Sequence, residues 1–284
     1  MIDADIFWAI HPLAANKFSQ SFGAFMRQLQ ISGPKAGPAE EAARDGLPIA
    51  VTGGVAVIPV MGAMFRRAPS WARSYGITGT ESIKQALQTA LADDDVHSIL
   101  LRVDSPGGSV SGIRELAQVI AAAEKPVIAQ VEGMAASAAY FVASQADKIL
   151  VGPGDLVGSI GVRIMLYDYS KAFEEAGIKA IPVDTGEFKS AGAMGTEITE
   201  AQLADFQRTV DYYYDDFVAA VSTGRSMKEQ DVRDVGDGRM YSPEEAMSSG
   251  LVDGISTIEK TLNEMRSSAP KGRSTQTARA RLRL

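Results

Sequence analysis

From Val55 onward the chain alternates between two hydrophobic periods. VAVIPV (55–60), SILLRVD (98–104) and PVIAQVE (126–132) are continuous apolar runs of strand length, suited to strands buried on both faces. ESIKQALQTALAD (81–93) and SGIRELAQVIAAAEK (111–125) carry apolar residues at helical spacing instead. KILVG around Ile149 and KAIPVD (179–184) read as further strands. YSKAFEEAGI (169–178) and a long stretch over 199–221 read as helices. In YSPEEAMSSGLVDGI (241–255), Ser242 is an N-cap, Pro243 occupies the first helical position and Gly250 stops the helix before a short strand. Strands alternating with helices predict an α/β domain with a largely parallel sheet covered on both sides. No fixed-period repeat is present.

The first 54 residues follow a different pattern. Phe18, Phe22, Phe25, Met26 and Leu29 give helical spacing over 15–31, and 32–54 is rich in Gly, Pro and Ala, as a linker would be. The sequence therefore divides into an N-terminal helical extension and linker (1–54), an α/β domain (55–264) and a basic tail (265–284) expected to be disordered. Asp3 and Asp5 stand where a secretory signal needs a basic segment, and His11 and Pro12 interrupt the apolar run behind them. No stretch reaches the roughly 18 apolar residues of a membrane span. A cytoplasmic protein without a membrane anchor is expected.

Charge and composition remove several chemistries. The net charge is −7, but no acid follows Glu264, while Arg266, Lys271, Arg273, Arg279, Arg281 and Arg283 do. Residues 1–264 thus hold 22 basic against 35 acidic residues, a balance of −13. Such a body does not bind nucleic acid over a broad face. Without cysteine there is no disulfide, thiolate nucleophile or cysteine-bound zinc. The two histidines, His11 and His97, are far apart in sequence, which argues against a histidine metal site. Neither metal nor cofactor is expected.

Four short motifs carry candidate chemistry. In MAASAAY (134–140), Ser137 stands among alanines that let neighbouring backbone pack close and leave the hydroxyl within reach of a substrate. Taken alone, such a serine is more often a helix cap or a hydrogen-bonded core hydroxyl. If it is a nucleophile it needs a base, and GEFKSAGAMG (186–195) offers Lys189 between glycines. A lysine serves as a base only when an apolar pocket strips its proton, so a buried amine is expected. Taken alone, Lys189 is a surface loop residue. DSPGGSV (104–110) follows a strand and precedes a helix. Gly107 and Gly108 permit close backbone approach and successive amides aimed at one point, an oxyanion site. Its plain alternative is a tight turn. In GDLVGSIGVR (154–163), Ser159 lies between two glycines and could hold a lysine amine in one rotamer.

In this order the motifs resemble the signal peptide peptidase A family of serine proteases, which includes capsid-maturation proteases of tailed phages. The resemblance covers roughly residues 55–260 and includes the closing segment GRMYSPEEAMSSGLVDGI (238–255). It implies a Clp protease/crotonase-like fold of stacked ββα units. It also implies a Ser-Lys dyad of Ser137 and Lys189, a lysine-orienting Ser159 and an oxyanion turn at Gly107 and Gly108. The implied function is endoproteolysis of flexible or unfolded polypeptide in phage capsid assembly, acting on scaffold, capsid or portal proteins in the host cytoplasm or the prohead. A bacterial cytoplasmic peptide peptidase is the alternative. An acyl-CoA enzyme of the crotonase type, with Glu132 as its acid, and a non-catalytic shell component are more distant readings. The single copy of each motif, set against double-length family members whose serine and lysine come from different copies, implies a cyclic homo-oligomer with sites shared between protomers.

Overall fold

The three apolar runs form the centre of one sheet in the computed structural model, which describes residues 47–268. β1 (Ala50–Thr52) turns back onto β2 (Val55–Met61). An excursion follows, made of β3 (Ala63–Phe65), a 3-10 segment at Ser70–Tyr75 and β4 (Ile77–Gly79), and leads into α1 (Thr80–Ala92). Next come β5 (Ser98–Ser105), α2 (Ile113–Ala121), β6 (Val127–Ala136), α3 (Ala138–Ala143), β7 (Lys148–Val151) and β8 (Leu156–Gly158). An arm carrying α4 (Ser170–Glu175) reaches the long α5 (Glu200–Arg225). The described chain closes with α6 (Glu229–Val235), β9 (Met240–Tyr241), α7 (Pro243–Ser248), β10 (Gly254–Ile255) and α8 (Ile258–Ser267).

The sheet runs in the order β1-β2-β5-β6-β7-β10, with β8 beside the end of β6 and β9 beside β8. Pairings along β2, β5, β6, β7, β8 and β10 are parallel. Only β1 on β2 and β9 on β8 are antiparallel. The sheet is therefore largely parallel, as the continuous apolar strands predict. Alternate residues feed two separate cores. Ile58, Val60, Ile99, Leu101, Val103, Ala129 and Val131 pack with Ile83, Leu87, Leu116 and Phe141 of the helices. The intervening residues Val55, Leu100 and Ile128 pack under Met265 and Leu262 of α8. Burial on both faces is why these strands carry no polar alternation.

Polar groups tie α8 to the sheet. Thr261 Oγ1 donates to Gln130 Oε1 at 2.6 Å, and Gln130 Nε2 donates to the Ser256 carbonyl at 2.8 Å. The end of α5 is pinned by a fork: Arg225 Nη1 and Nη2 reach the two oxygens of Asp253 at 2.9 and 2.8 Å, and the Ile149 amide donates to the same carboxylate. Burial alone would raise the Asp253 carboxyl. The Arg225 bonds and the Ile149 amide outweigh it and hold the group below its ordinary value. A depressed folded value stabilises the fold above the unfolded carboxylate pKa of about 3.9 and is lost as pH falls through the folded value. In urea titrations the unfolding free energy should therefore fall below about pH 4, and Asp253→Asn should flatten that acid limb. An unchanged limb would remove Asp253 as its source.

The helix at 241–255 forms as the sequence predicts: Ser242 and Glu245 make a reciprocal capping box with Pro243 in the first turn. Three features differ. KAIPVD is not a strand, because no sheet edge meets it, and Ile181 and Val183 stand 73% and 93% exposed. The chain joins the core before residue 55, since Leu47 is buried there and β1 pairs with β2. The β3–β4 excursion was not foreseen. The helix expected over 15–31 and the tail beyond 268 lie outside the described residues. Among the described residues no helix is long and apolar enough to cross a membrane.

Candidate active site

The site grows from the ends of two parallel strands. Ala136 of β6 pairs with Gly158 of β8, so the next residue on each strand is a serine, Ser137 and Ser159. Here β6 stops and α3 starts. Ser137 sits at the junction with φ 54° and ψ −123°, a conformation that glycine adopts freely and serine does not. Its amide donates to the Gly158 carbonyl at 2.9 Å, and its carbonyl accepts from the Phe141 amide. Ser159 also has a positive φ, 51°, and its amide donates to the Arg239 carbonyl at 2.7 Å. The closing segment that pairs through β9 thus holds Ser159 in place.

Ser137 is fully buried, and among the described residues its Oγ has no hydrogen-bond partner. A core serine normally makes its bond; Ser98 Oγ is also buried without a partner, and the strained turn is what sets Ser137 apart from it. The sequence expectation of an open hydroxyl is also corrected. The small neighbours let the DSPGG loop close directly over the serine, and a peptide would reach it only after the walls part. At Gly107 (φ +92°) a Cβ would fall 2.8 Å from Ser137 Cβ and 2.9 Å from the Ala138 nitrogen. At Gly108 a Cβ would fall 1.9 Å from the Met64 carbonyl oxygen. Gly108→Ala must displace this loop. It should lower stability by about 1–3 kcal/mol through overpacking, read as a lower melting temperature, and reduce any acyl-transfer activity by more than that loss of stability accounts for. A wild-type melt would show that the loop yields without strain.

The amides of this loop are not equivalent. The Gly107 N–H donates to Ser105 Oγ at 3.2 Å, and the Ser109 N–H donates to the Met64 carbonyl at 2.8 Å. Among the described residues no acceptor takes the Gly108 N–H. Ala138 opens α3, so its amide has no acceptor within the helix either. Gly108 and Ala138 are the donors left over beside Ser137. Sequence reading missed Ala138, although any residue following a serine at a helix start carries such an amide.

Lys189 is placed differently. It lies in the arm, exposed, and no hydrogen bond or ion pair joins its amine to Ser137 or Ser159 among the described residues. The arm around it is anchored to α5 instead: Gln202 Nε2 donates to the Glu187 carbonyl at 2.9 Å, and Ser190 bonds Asp184 within the arm. The structure thus gathers Ser137, Ser159, Gly107 and Gly108, but not Lys189. Within one protomer the Lys189 amine stands exposed, because the arm has no core of its own to sink it in.

A largely parallel α/β domain with a serine at a strained strand-to-helix turn defines a Clp protease-like fold, and a family model described as Clp protease matches residues 75–150. The chain belongs to peptidase family S49, whose model matches residues 120–270. It is similar to Capsid assembly protease C of Escherichia phage lambda, with 32% identity over 240 residues covering 84% of this chain and 53% of that protein. It is also similar to Protease 4 of Haemophilus influenzae, with 31% identity over 189 residues covering 66% and 31% of the two chains. A third relative is Head-tail preconnector protein GP5 of Enterobacteria phage P21, with 29% identity over 217 residues covering 76% and 43%. The chain spans about half or less of the full length of these relatives.

Proposed function

We propose that the protein is a serine endopeptidase that cuts flexible or unfolded polypeptide. The observation that carries this reading is Ser137, an unpartnered hydroxyl at a strained turn with two unspent amides beside it. Ser137 Oγ attacks the peptide carbonyl carbon, and the amine of Lys189 takes its proton. The Gly108 and Ala138 amides hold the oxyanion of the tetrahedral intermediate. Its collapse breaks the C–N bond and returns the proton to the leaving amine, and water then hydrolyses the acyl-enzyme. Ser159 orients the lysine.

A solvated lysine is protonated near neutrality, so the base needs cover that the described residues of one protomer do not provide. The arm supplies the means. Ile181, Val183, Phe188 and Met194 are each at least half exposed, a run of apolar surface that favours burial against a neighbour. We place Lys189 of one protomer against Ser137 of the next, in a head-to-tail ring.

For the biological role we favour capsid assembly, because similarity to the phage lambda capsid assembly protease extends over more of the chain than similarity to Protease 4. A peptide peptidase is the second reading. The hydratase reading loses its acid, since Glu132 is already paired with Arg102. The test is incubation of the full chain with unfolded casein, with a compact folded protein and with an enoyl-CoA. Cleavage of casein alone, mapped by mass spectrometry to bonds after Ala, Leu or similar residues, is expected. Hydration of the enoyl-CoA, or no reaction with any of the three, would overturn the reading.

A further inference from the structure

Ser105 has so far appeared only as the acceptor of one amide. It is fully buried, at the last position of β5, where the DSPGG loop begins. Its Oγ donates to the Gly62 carbonyl at 2.6 Å and accepts from the Gly107 amide at 3.2 Å. One hydroxyl therefore bridges the loop to the chain just before β3, and it uses both its donor and an acceptor site to do so. Three backbone bonds complete the same seam: Gly62 N–H to the Asp104 carbonyl, Met64 N–H to the Gly107 carbonyl and Ser109 N–H to the Met64 carbonyl, at 2.8, 2.9 and 2.8 Å.

The consequence concerns which amide faces the substrate. Of the three successive amides at 107–109, the middle one is left without an acceptor because its neighbours are both engaged. Ser109 is held by backbone, which no side-chain change removes. The Gly107 N–H is held by Ser105 alone, while the Gly107 carbonyl, in the same peptide plane as the Gly108 N–H, is held by the Met64 amide. If Ser105 lets go, the Gly107 amide is a buried donor without a partner, and the loop must shift at Gly107 to find it one. Gly107 packs against Ser137 Cβ and the Ala138 nitrogen, so a displacement of Gly107 carries the adjoining Gly108 donor with it relative to the hydroxyl and to the second donor.

We infer that Ser105 is a positioning residue for the reaction: its hydroxyl fixes the Gly107 peptide so that the Gly108 amide, with that of Ala138, meets the developing oxyanion. Ser105 touches neither substrate nor nucleophile. It acts through the loop. This inference rests on Ser137 being the nucleophile. Oxyanion donors act on the transition state rather than on the bound substrate, and that selectivity separates positioning from general support of the fold.

The experiment compares wild type, Ser105→Ala and Ser105→Cys on a fluorogenic peptide. It adds inhibition by a peptide aldehyde. With the aldehyde, Ser137 Oγ bonds the aldehyde carbon, the C=O π bond opens and the serine proton ends on the hemiacetal oxygen, which lies where the oxyanion would. In Ser105→Ala, kcat should fall by about 10²-fold with KM within about threefold, and aldehyde affinity should fall in parallel with kcat/KM. Ser105→Cys keeps a single γ atom, fills the site with a slightly larger one and bonds weakly, so it leaves no cavity and should lose kcat in the same way while folding. It carries the test where the alanine variant does not fold. Wild-type kcat in either folded variant, or a loss confined to KM, would overturn the role of Ser105. Ser137→Ala serves as the control: full activity there would overturn the nucleophile assignment itself, whatever Ser105 does.

Discussion

Ser137→Ala should lower peptide cleavage by a factor of about 10⁴ or more, with the melting temperature close to wild type. The variant keeps the backbone torsions and removes a hydroxyl that makes no bond among the described residues, so little folding energy depends on that oxygen. Lys189→Arg should be as inactive, because a guanidinium keeps its proton and cannot accept one. Its stability is the informative control. Lys189 is exposed and makes no bond with the rest of the site, and surface changes of this kind shift stability by no more than about 0.5 kcal/mol. Inactivity with an unaltered melt would therefore come from lost chemistry. Substantial cleavage by Lys189→Arg would remove Lys189 as the base, and cleavage by Ser137→Ala would remove the nucleophile.

Mixing the two inactive proteins should restore activity. If Lys189 of one protomer serves Ser137 of the next, a ring assembled from Ser137→Ala and Lys189→Ala subunits contains some junctions where an intact lysine meets an intact serine. In an equal mixture with random exchange, about a quarter of junctions are of this kind, so recovery toward a quarter of wild-type activity is expected under head-to-tail geometry. The exchange itself is followed by light scattering and native mass spectrometry. A mixture that forms mixed rings and stays inactive would place both catalytic groups in one chain. Deleting apolar surface from the arm, by Val183→Ser with Ile181→Ser, should weaken the ring without unfolding the protomer, since both side chains are exposed there.

The central strands were legible because burial on both faces leaves a signature no surface strand has: Ile58, Leu101 and Val131 on one side, Val55, Leu100 and Ile128 on the other, with few polar residues such as Arg102 and Gln130 among them. The helix at Pro243 was legible because its cap is local chemistry. KAIPVD misled for the same reason that VAVIPV did not. Apolar residues at strand spacing report that a surface is to be covered, but not by what, and Ile181 and Val183 find no cover among the described residues. Lys189 shares that ambiguity. The serines were readable as a pair only through their motifs. That Ser137 and Ser159 stand at matching positions on adjacent strands follows from the register of Ala136 with Gly158, which no local pattern reveals. Ser105 was invisible for a related reason: its partner carbonyl, Gly62, lies 43 positions away.

The torsion at Ser137 sets heat resistance against turnover at a single position. A side chain held at φ 54° and ψ −123° stores strain of order 1–3 kcal/mol, and a glycine there would release most of it at the expense of about 0.5–1 kcal/mol in chain freedom. Ser137→Gly should therefore melt higher than Ser137→Ala, by roughly 2–4 °C for each kcal/mol recovered in a domain of this size, while being equally inactive. A population of variants screened for survival on heating, with no demand for cleavage, would drift toward glycine at 137. Thermal selection and catalytic selection pull this residue in opposite directions, and a thermostable relative that still cuts must gain its heat resistance elsewhere in the fold.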